Sequence, residues 1–576
     1  MGRIKFALAV FSLAFIAILA RLFYWQIAAR DALQAKAESQ YNQVINVSSS
    51  RGEILAQDLS PLVTNQTAWL IFAEPAKITE TPSVMAEKLA PIISRSKNTP
   101  ELSSEDYEEK LRNAEKDLLS KLSNKDLVWV ALARKLDNEK KSEIESLGLA
   151  GVGFLSDEKR FYPEGTMAAH LLGFVGSDKF GQDVGYFGLE GTYNTQLAAR
   201  SGKILATRDA VGNLVLTPKT LEVEPVPGKT LVTTIDRNVQ FIVAKNILAG
   251  VEKYGAKAGS VTIANPKTGA ILAMATYPAY DPENLNQFSQ DDFKNPVVTD
   301  SFEPGSIFKL VGAAAALEER VAKPDTVCEK CQGPRQIGSF TIRTWNNKYY
   351  PNSTLTDILV HSDNVGMVAL TEKLGLGKFL RYLKRFQLGK TTGIDFSEEV
   401  APALRGDSDW KPIDLAVASF GQGIATTQIK IVQIVASIAN GGKLVKPYII
   451  QKYKGGGSEF TVQPKVLGNV FSEKTAKVLT EMMVAAVERG EAHRLAPEGF
   501  EIAGKTGTAQ IPIAGHYDPK KTIASFVGFA PADNPKFVML VSYNSPSTSP
   551  YGSETAAPTF FAIAKELFAY YGISPK

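Results

Sequence analysis

A chain of 576 residues has room for about three to five domains of ordinary size. Its 44% hydrophobic and 22% charged residues are globular in balance, and Gly plus Pro at about 13% excludes collagen-like and low-complexity classes. A net charge of +4 leaves no nucleic-acid footprint, two cysteines cannot build a disulfide scaffold, and four histidines argue against a His-based metal centre.

The first element is apolar. Residues 6–20 (FALAVFSLAFIAILA) carry no charge, Arg3 and Lys5 precede them, and the run resumes after Arg21 to residue 29. As a helix, residues 6–29 span about 36 Å, against about 30 Å of hydrocarbon. Phe23, Tyr24 and Trp25 suit an interfacial belt. A cleaved signal peptide is the competing reading, but no A-x-A site lies just after Ala20. The expectation is an uncleaved anchor with residues 1–5 cytoplasmic and everything after Arg30 extracytoplasmic. That compartment lacks ATP, so kinases, ATPases and nicotinamide enzymes drop out.

No second stretch of eighteen apolar residues follows. Residues 40–75 alternate in short runs broken by Arg51-Gly52 and Ser60-Pro61 and read as strands. Residues 84–148 are charged and helix-periodic, notably 107–122 and 137–147, which is the pattern of solvated helix faces. The cluster Val223-Glu-Pro-Val-Pro-Gly228 marks a domain boundary, so residues 30–225 form one domain and 226–576 another. In the second, 258–275 reads as a hairpin turning at Asn265-Pro-Lys-Thr-Gly269. Residues 304–319 and 427–440 read as helices, 524–530 and 537–543 as paired strands, and 560–571 as a closing helix. The class is α+β or α/β, multidomain.

Three short motifs in the second domain carry chemistry: Ser306-Ile-Phe-Lys309, Ser362-Asp-Asn364 and Lys505-Thr-Gly507. Each has chance copies. S-x-x-K recurs at Ser94, Ser156 and Ser408, S-x-N at Ser96 and Ser542, and K-T-G at Lys267. Context separates them. Ser306 falls in the first turn of a helix, where free N–H groups favour developing negative charge, and Lys309 shares its face. Lys505 lies in a small-residue strand that lets another segment approach, whereas Lys267 sits in a turn. Serine with a lysine base is an alternative to Ser-His-Asp, and G-x-S-x-G is absent. His361 reads as structural.

This ordered set resembles the penicilloyl-serine transferases, and the flanks FEPGSIFK, SDNVGM, FGQGIATT and AGKTGTAQ resemble a class B penicillin-binding protein. Arg51-Gly-Glu53, Arg160-Phe-Tyr-Pro163, Ala168-Ala-His-Leu-Leu-Gly173, Gly188-Leu-Glu-Gly-Thr-Tyr193 and Thr234-Ile-Asp236 are similar to that family's pedestal and linker motifs, so nearly the whole chain is covered. Ala56-Gln-Asp-Leu-Ser-Pro61 departs from the family's Asp-Arg-x-Gly.

The resemblance implies an anchored protein with an elongated mixed pedestal and a transpeptidase domain, an antiparallel sheet flanked by helices as in serine β-lactamases. It implies that Ser306 attacks a D-Ala-D-Ala stem peptide of peptidoglycan and that an amine of a neighbouring stem takes the acyl group. Lys309 would be the base, with Lys505 as the cationic neighbour that helps strip its charge. Ser362 and Asn364 would relay the proton and hold the substrate amide. Lys505, Thr506 and Thr508 would bind the terminal carboxylate, and Gly507 would keep the cleft clear. The backbone N–H groups of Ser306 and Thr508 would form the oxyanion hole. No metal or other cofactor is needed and no nucleic acid is involved. β-Lactams would acylate Ser306, and a multi-pass membrane glycosyltransferase would be the partner.

The chain's ending, without appended repeats, resembles the septal type more than the elongation type. A membrane-anchored β-lactamase or β-lactam-sensing receptor, and a non-catalytic scaffold, are the rival readings. Cys328-Glu-Lys-Cys331 reads as a small-loop disulfide or local structural element, with metal and redox pairs as alternatives.

Overall fold

The structure, a computed structural model, describes residues 2–47, 49–95, 104–125, 127, 129–179, 181–208, 214–215, 221–513 and 516–576. It divides into two compact units: Met1–Arg51 with Ala199–Gly228, and Gly52–Ala198 with Lys229–Lys576.

In the first unit a helix over Gly2–Phe23 continues through a π-helical turn at Tyr24–Ala28. Together Gly2–Ala28 makes the one helix among the described residues that is long and apolar enough to cross a membrane. The helix Arg30–Tyr41 follows, and the strand Asn42–Val47 pairs antiparallel with Gly202–Arg208.

In the second unit, Pro61–Ala73 is a long strand flanked by Val152–Phe161 and Val130–Leu136. Val130–Leu136 interrupts the stretch expected to be helical. Its Ala, Leu, Arg and Lys are good helix formers, but pairing with Pro61–Ala73 outweighs that weak preference. The helices Ser104–Ser123 and Asn138–Ser146 stand on either side of it. Ile54–Leu55 pairs parallel to Thr230–Thr233, which pairs antiparallel to Ile450–Gly455, so one sheet runs between the early and late parts of the unit. Nearby, Arg160 Nε donates to Glu190 Oε1 at 2.7 Å and Nη1 to Asn65 Oδ1 at 2.8 Å, joining two of the sequence motifs through an ion pair whose side chains are 5% and 0% exposed. His170 is held neutral by burial, which pushes its pKa down to about 4, with Nε2 3.0 Å from the Asp292 carbonyl oxygen.

The sheet that positions the site has five antiparallel strands: β1 (Ala258–Ala264), β2 (Ile271–Tyr277), β3 (Ala503–Ile513), β4 (His516–Ala530) and β5 (Phe537–Asn544), in the order β2-β1-β5-β4-β3. Both faces are buried, and period-two alternation decides which side chain goes where. Val261, Ile263, Met539, Val541 and Tyr543 pack under α1 (Arg237–Tyr254) and the C-terminal helix Ala556–Tyr570, while Val538 and Leu540 join the larger core. That core takes in α2 (Lys309–Glu318), α3 (Leu355–Val360), α4 (Asn364–Leu374), α5 (Gln428–Ala439) and α6 (Glu473–Arg489). Caps fix the ends: Asp236 accepts from Asn238 and Val239, Thr354 from Asp357, and Ser472 from Thr475.

Cys328 and Cys331 form a disulfide with Cα atoms 5.6 Å apart, which decides between the alternatives left open by their spacing.

Arg160→Met leaves the fully buried Glu190 without its cation. The expected cost is about 3–5 kcal/mol, read as a lower urea midpoint, and Arg160→Met with Glu190→Leu should recover most of it.

Candidate active site

The segment Gly305–Phe308 is a 3₁₀ turn leading into α2, a tighter start than the α-helix expected from residue 304. In a 3₁₀ turn side chains three apart eclipse, so Ser306 and Lys309 lie on one side. Burial of Ile307, Phe308 and Lys309 seats this turn in the core.

The Lys309 amine does not hydrogen-bond to Ser306. It lies 2.6 Å from the Ser362 carbonyl oxygen, 3.2 Å from Ser362 Oγ and 2.8 Å from Asn364 Oδ1. Thus Ser362 and Asn364 meet Lys309 across sequence separations of 53 and 55. Ser362 reaches this place with φ +52, the left-handed region, between the end of α3 and the cap of α4. A non-glycine residue there is strained, and here the strain serves to aim a hydroxyl. Asp363 caps α4 by accepting from Val365 N, and Asn364 Nδ2 donates to the Arg343 carbonyl. The adjacent His361 ring stacks on Tyr350, centroids 3.9 Å apart and planes at 4°, in the structural role its sequence suggested.

β3 is the open edge of the sheet. Thr506, Thr508 and Gln510 face the cleft, while Lys505, Gly507 and Ala509 belong to the buried face. Lys505 Nζ lies 3.3 Å from both the carbonyl oxygen and Oγ1 of Thr506. Gly507 is required on the inner side, and not to clear the cleft: a Cβ there would stand 2.5 Å from Ser525 Oγ and 2.7 Å from Ile307 Cγ1. Gly305, at φ +56, brings the serine turn equally close, since its Cβ would lie 2.9 Å from the Thr508 carbonyl. These two approaches place the backbone at Ser306 beside that at Thr508. Thr508 Oγ1 in turn accepts from Gly552 N at 3.1 Å.

A cleft of about 390 Å³ contains Ser306, Ser362, Asn364, Thr506 and Thr508. Trp345 and Tyr551, with ring centroids 5.3 Å apart and at 64°, line it from two different loops, and Glu491 lines it as well. No motif marks these three, because each sits in a loop far from the others in sequence. Glu303, inside the FEPGSIFK segment, accepts from Gly423 N at 3.0 Å and from the Tyr517 hydroxyl at 3.1 Å. A neighbouring cavity of about 480 Å³ shares Gln510 with the cleft.

Electrostatics divide the two lysines. Burial pushes Lys309 well below its ordinary value, Lys505 pushes it further, and Asp363 and Glu491 oppose. Burial lowers Lys505 to about 8, with Glu491 opposing. Asp363 and Glu491 are both raised, each chiefly by burial.

The chance copies of the motifs lie elsewhere. Ser156 and Lys159 are on the strand Val152–Phe161, and Lys267 donates to Asn534 in its turn. Lys97 and the copy at residues 96–98 lie outside the described residues.

A serine on a helix-initiating turn, a buried amine whose pKa is driven well down and a second lysine on an edge strand are the parts that a serine acyltransferase uses. The comparisons agree. Residues 259–567 match the penicillin-binding protein transpeptidase domain, and residues 46–233 the penicillin-binding protein dimerisation domain. The chain is 31% identical over 583 residues to stage V sporulation protein D of Bacillus subtilis, covering 100% of this chain and 86% of that protein. It is 29% identical over 578 residues to a probable peptidoglycan D,D-transpeptidase PenA of Neisseria meningitidis, covering 100% and 94%. Penicillin-binding protein 2X of Streptococcus thermophilus has the same fold, with a TM-score of 0.73 at 23% identity over 92% of this chain and 80% of that one. The chain belongs to the class B penicillin-binding proteins. It is a penicillin-binding serine D,D-transpeptidase of peptidoglycan synthesis.

Gly507→Ala should force β3 off the serine turn at a cost of about 1–3 kcal/mol. The expected result is acylation by a fluorescent penicillin slowed about tenfold or more in protein whose circular dichroism is unchanged.

Proposed function

We propose that Ser306 is the nucleophile, with Lys309 as its base acting through Ser362. The observation that carries this reading is the buried Lys309 amine, held by Ser362 and Asn364, with its pKa driven well down by burial and by Lys505. Lys309 takes the Ser306 proton by way of Ser362 Oγ, and Ser306 Oγ attacks the carbonyl between the two D-alanines. The tetrahedral oxyanion rests on the N–H groups of Ser306 and Thr508. On collapse the C–N bond breaks, the proton returns to the leaving D-alanine amine, and the stem peptide stays esterified to Ser306. An amine of a second stem then attacks the ester, gives up a proton along the same path, and releases Ser306 with a new peptide bond. Lys505 with Thr506 and Thr508 holds the donor carboxylate, Asn364 holds its amide, and Gly507 keeps β3 against the serine turn.

In this reading residues 1–5 are cytoplasmic, 6–29 cross the inner membrane, 30–225 form the pedestal, and 226–576 form the extracytoplasmic transpeptidase domain. The long apolar helix at the N-terminus supports it. Glycan polymerisation falls to a multi-pass membrane glycosyltransferase meeting the anchor and pedestal, and the site of action is the division septum.

A fluorescent penicillin is expected to label the full chain covalently, and Ser306→Ala to abolish labelling. Labelling that survives the substitution, or rapid turnover of nitrocefin in place of a stable adduct, overturns the reading. The labelling rate should be bell-shaped in pH. It is lost as pH falls through the depressed Lys309 value, where the base regains its proton, and lost again above about 8 as Lys505 gives up its charge. Depletion in cells should give filaments; round cells would instead indicate elongation.

A further inference from the structure

The catalytic cleft meets a second cavity, of about 480 Å³, at Gln510 of β3. Strand register builds its floor. Thr276 on β2, Ser260 on β1 and Ser542 on β5 are successive cross-strand partners, so their hydroxyl groups stand in one row that lines the cavity. Ser525 on β4 and Gly507 on β3 continue that row to the catalytic strand. A second wall comes from a short ribbon, Ser301–Phe302 paired with Thr426–Thr427. One arm of it runs through Glu303 into the serine turn and the other into α5.

This floor is more polar than a buried sheet face requires. A buried hydroxyl costs free energy unless it is bonded, and these are bonded incompletely. Ser260 Oγ donates to Gln428 Oε1 at 2.6 Å, and its lone pairs remain able to accept. Ser542 is 3% exposed, and its hydroxyl has no partner among the described residues. The enclosed Oγ1 of Thr276 has none either. Asp300 and Glu303 also line the cavity, whereas no lysine, arginine or histidine among the described residues does. Glu303 accepts from Gly423 N and the Tyr517 hydroxyl, and Asp300 from Thr299 Oγ1 at 2.9 Å, all of them neutral donors. Two carboxylates without a cation, beside hydroxyls without partners, suit a ligand that brings an ammonium group.

The place of such a ligand in the reaction follows from the direction of β3. In the reading above the donor carboxylate sits at Lys505, Thr506 and Thr508 with the reacting carbonyl beside Thr508, so the rest of the donor stem leaves along β3 toward Gln510. At about 3.3 Å per residue, the side chain preceding the D-alanyl pair comes to the mouth of the cavity. Because the acceptor is an amine of a second stem, each stem carries such an amine, the donor included. We propose that this cavity is a donor subsite, in which Asp300 and Glu303 take the side-chain ammonium of the stem residue before the D-alanyl pair and the Ser260 and Ser542 hydroxyls complete its shell. The inference rests on the roles given above to Ser306, Lys505, Thr506 and Thr508. An ammonium held there keeps its proton and is no nucleophile. It stays away from the ester that its own stem forms, so the attacking amine has to come from a second chain.

The test is kcat/KM for D-lactate release by the full chain in detergent from a set of ester donors, Nα-acetyl-X-D-alanyl-D-lactate, in which X is lysine, Nε-acetyl-lysine or norleucine. The lysine donor is expected to exceed both others by about tenfold, since it alone presents a charge to the carboxylates. Asp300→Asn and Glu303→Gln should each cut that preference to about threefold, the double variant should bring it near parity, and Ser542→Ala should lower it about twofold. A residue that merely supports the fold would lower all donors alike and leave their ratio in place. A lysine donor no better than either neutral donor in wild type, or a preference that survives in the double variant, overturns the proposal. Should the double variant not fold, the ratios in Asp300→Asn and Ser542→Ala decide it in the same way. Ser306→Ala run alongside separates the two levels: D-lactate release persisting there refutes the site itself, whereas loss of release there with equal donor rates in wild type refutes only the subsite.

Discussion

Two buried lysine amines, Lys309 and Lys505, stand within each other's field, and the rest of the site is arranged around that fact. Lys309 is wholly buried and Lys505 is 3% exposed. Two ammonium groups so placed repel each other and each loses hydration, so the cheapest state removes one proton. Which lysine yields it follows from the surroundings. Lys309 feels both burial and Lys505, while the burial of Lys505, which lies beside Thr506, is opposed by Glu491. The same repulsion that would destabilise an ordinary core favours a neutral amine at Lys309, which is what the proposed base requires.

Holding that pair requires backbone segments closer together than side chains normally permit. The serine turn approaches β3 at Gly305 and Gly507, where a methyl group would overlap a carbonyl oxygen or another side chain. Ser362 contributes the opposite device, a residue with a side chain forced into left-handed geometry so that its hydroxyl and its carbonyl oxygen both reach Lys309. Strain is tolerated there because α3 and α4, capped by Thr354 and Asp363, fix the chain on both sides.

What the sequence made legible follows from distance along the chain. Ser306 and Lys309 are three positions apart, so local periodicity already places them on one side of their turn, whereas Ser362 and Asn364, two apart, meet at Lys309 only through the left-handed geometry at Ser362. The paired strands expected at 524–530 and 537–543 are likewise found, the second as β5 to within one residue and the first as the C-terminal half of β4, which begins eight residues earlier. Harder to read were features that exist only through tertiary contact. Val130–Leu136 is a strand because Pro61–Ala73 lies next to it, and nothing in its own composition says so. The Lys309 amine goes to Ser362 in preference to Ser306, a choice made by the packing of α2 against α4. Glu491, Trp345 and Tyr551 converge on the cleft from three loops, and no spacing rule could have gathered them.

One motif outside the cleft shows how the early segment is tied to the site. Asp236, in Thr234-Ile-Asp236, caps α1, and its Oδ2 accepts from Gln57 Nε2 at 2.9 Å and from the Tyr570 hydroxyl at 2.9 Å. Asp395, nearly enclosed, accepts from Ile449 N and Ile450 N at 2.6 and 2.7 Å and meets the Tyr193 hydroxyl at 3.4 Å. Each carboxylate gathers donors from segments more than fifty residues apart, and an aspartate can do this because it accepts at two oxygens in several directions. Replacing Asp395 by an apolar residue would orphan the N–H groups of Ile449 and Ile450, which are fully buried. Residues 52–198 and 229–576 therefore form one unit through hydrogen bonds as well as through the sheet at Thr230–Thr233. The lysine pair sits on a frame whose rigidity is supplied in part by chain that contributes nothing to the cleft itself.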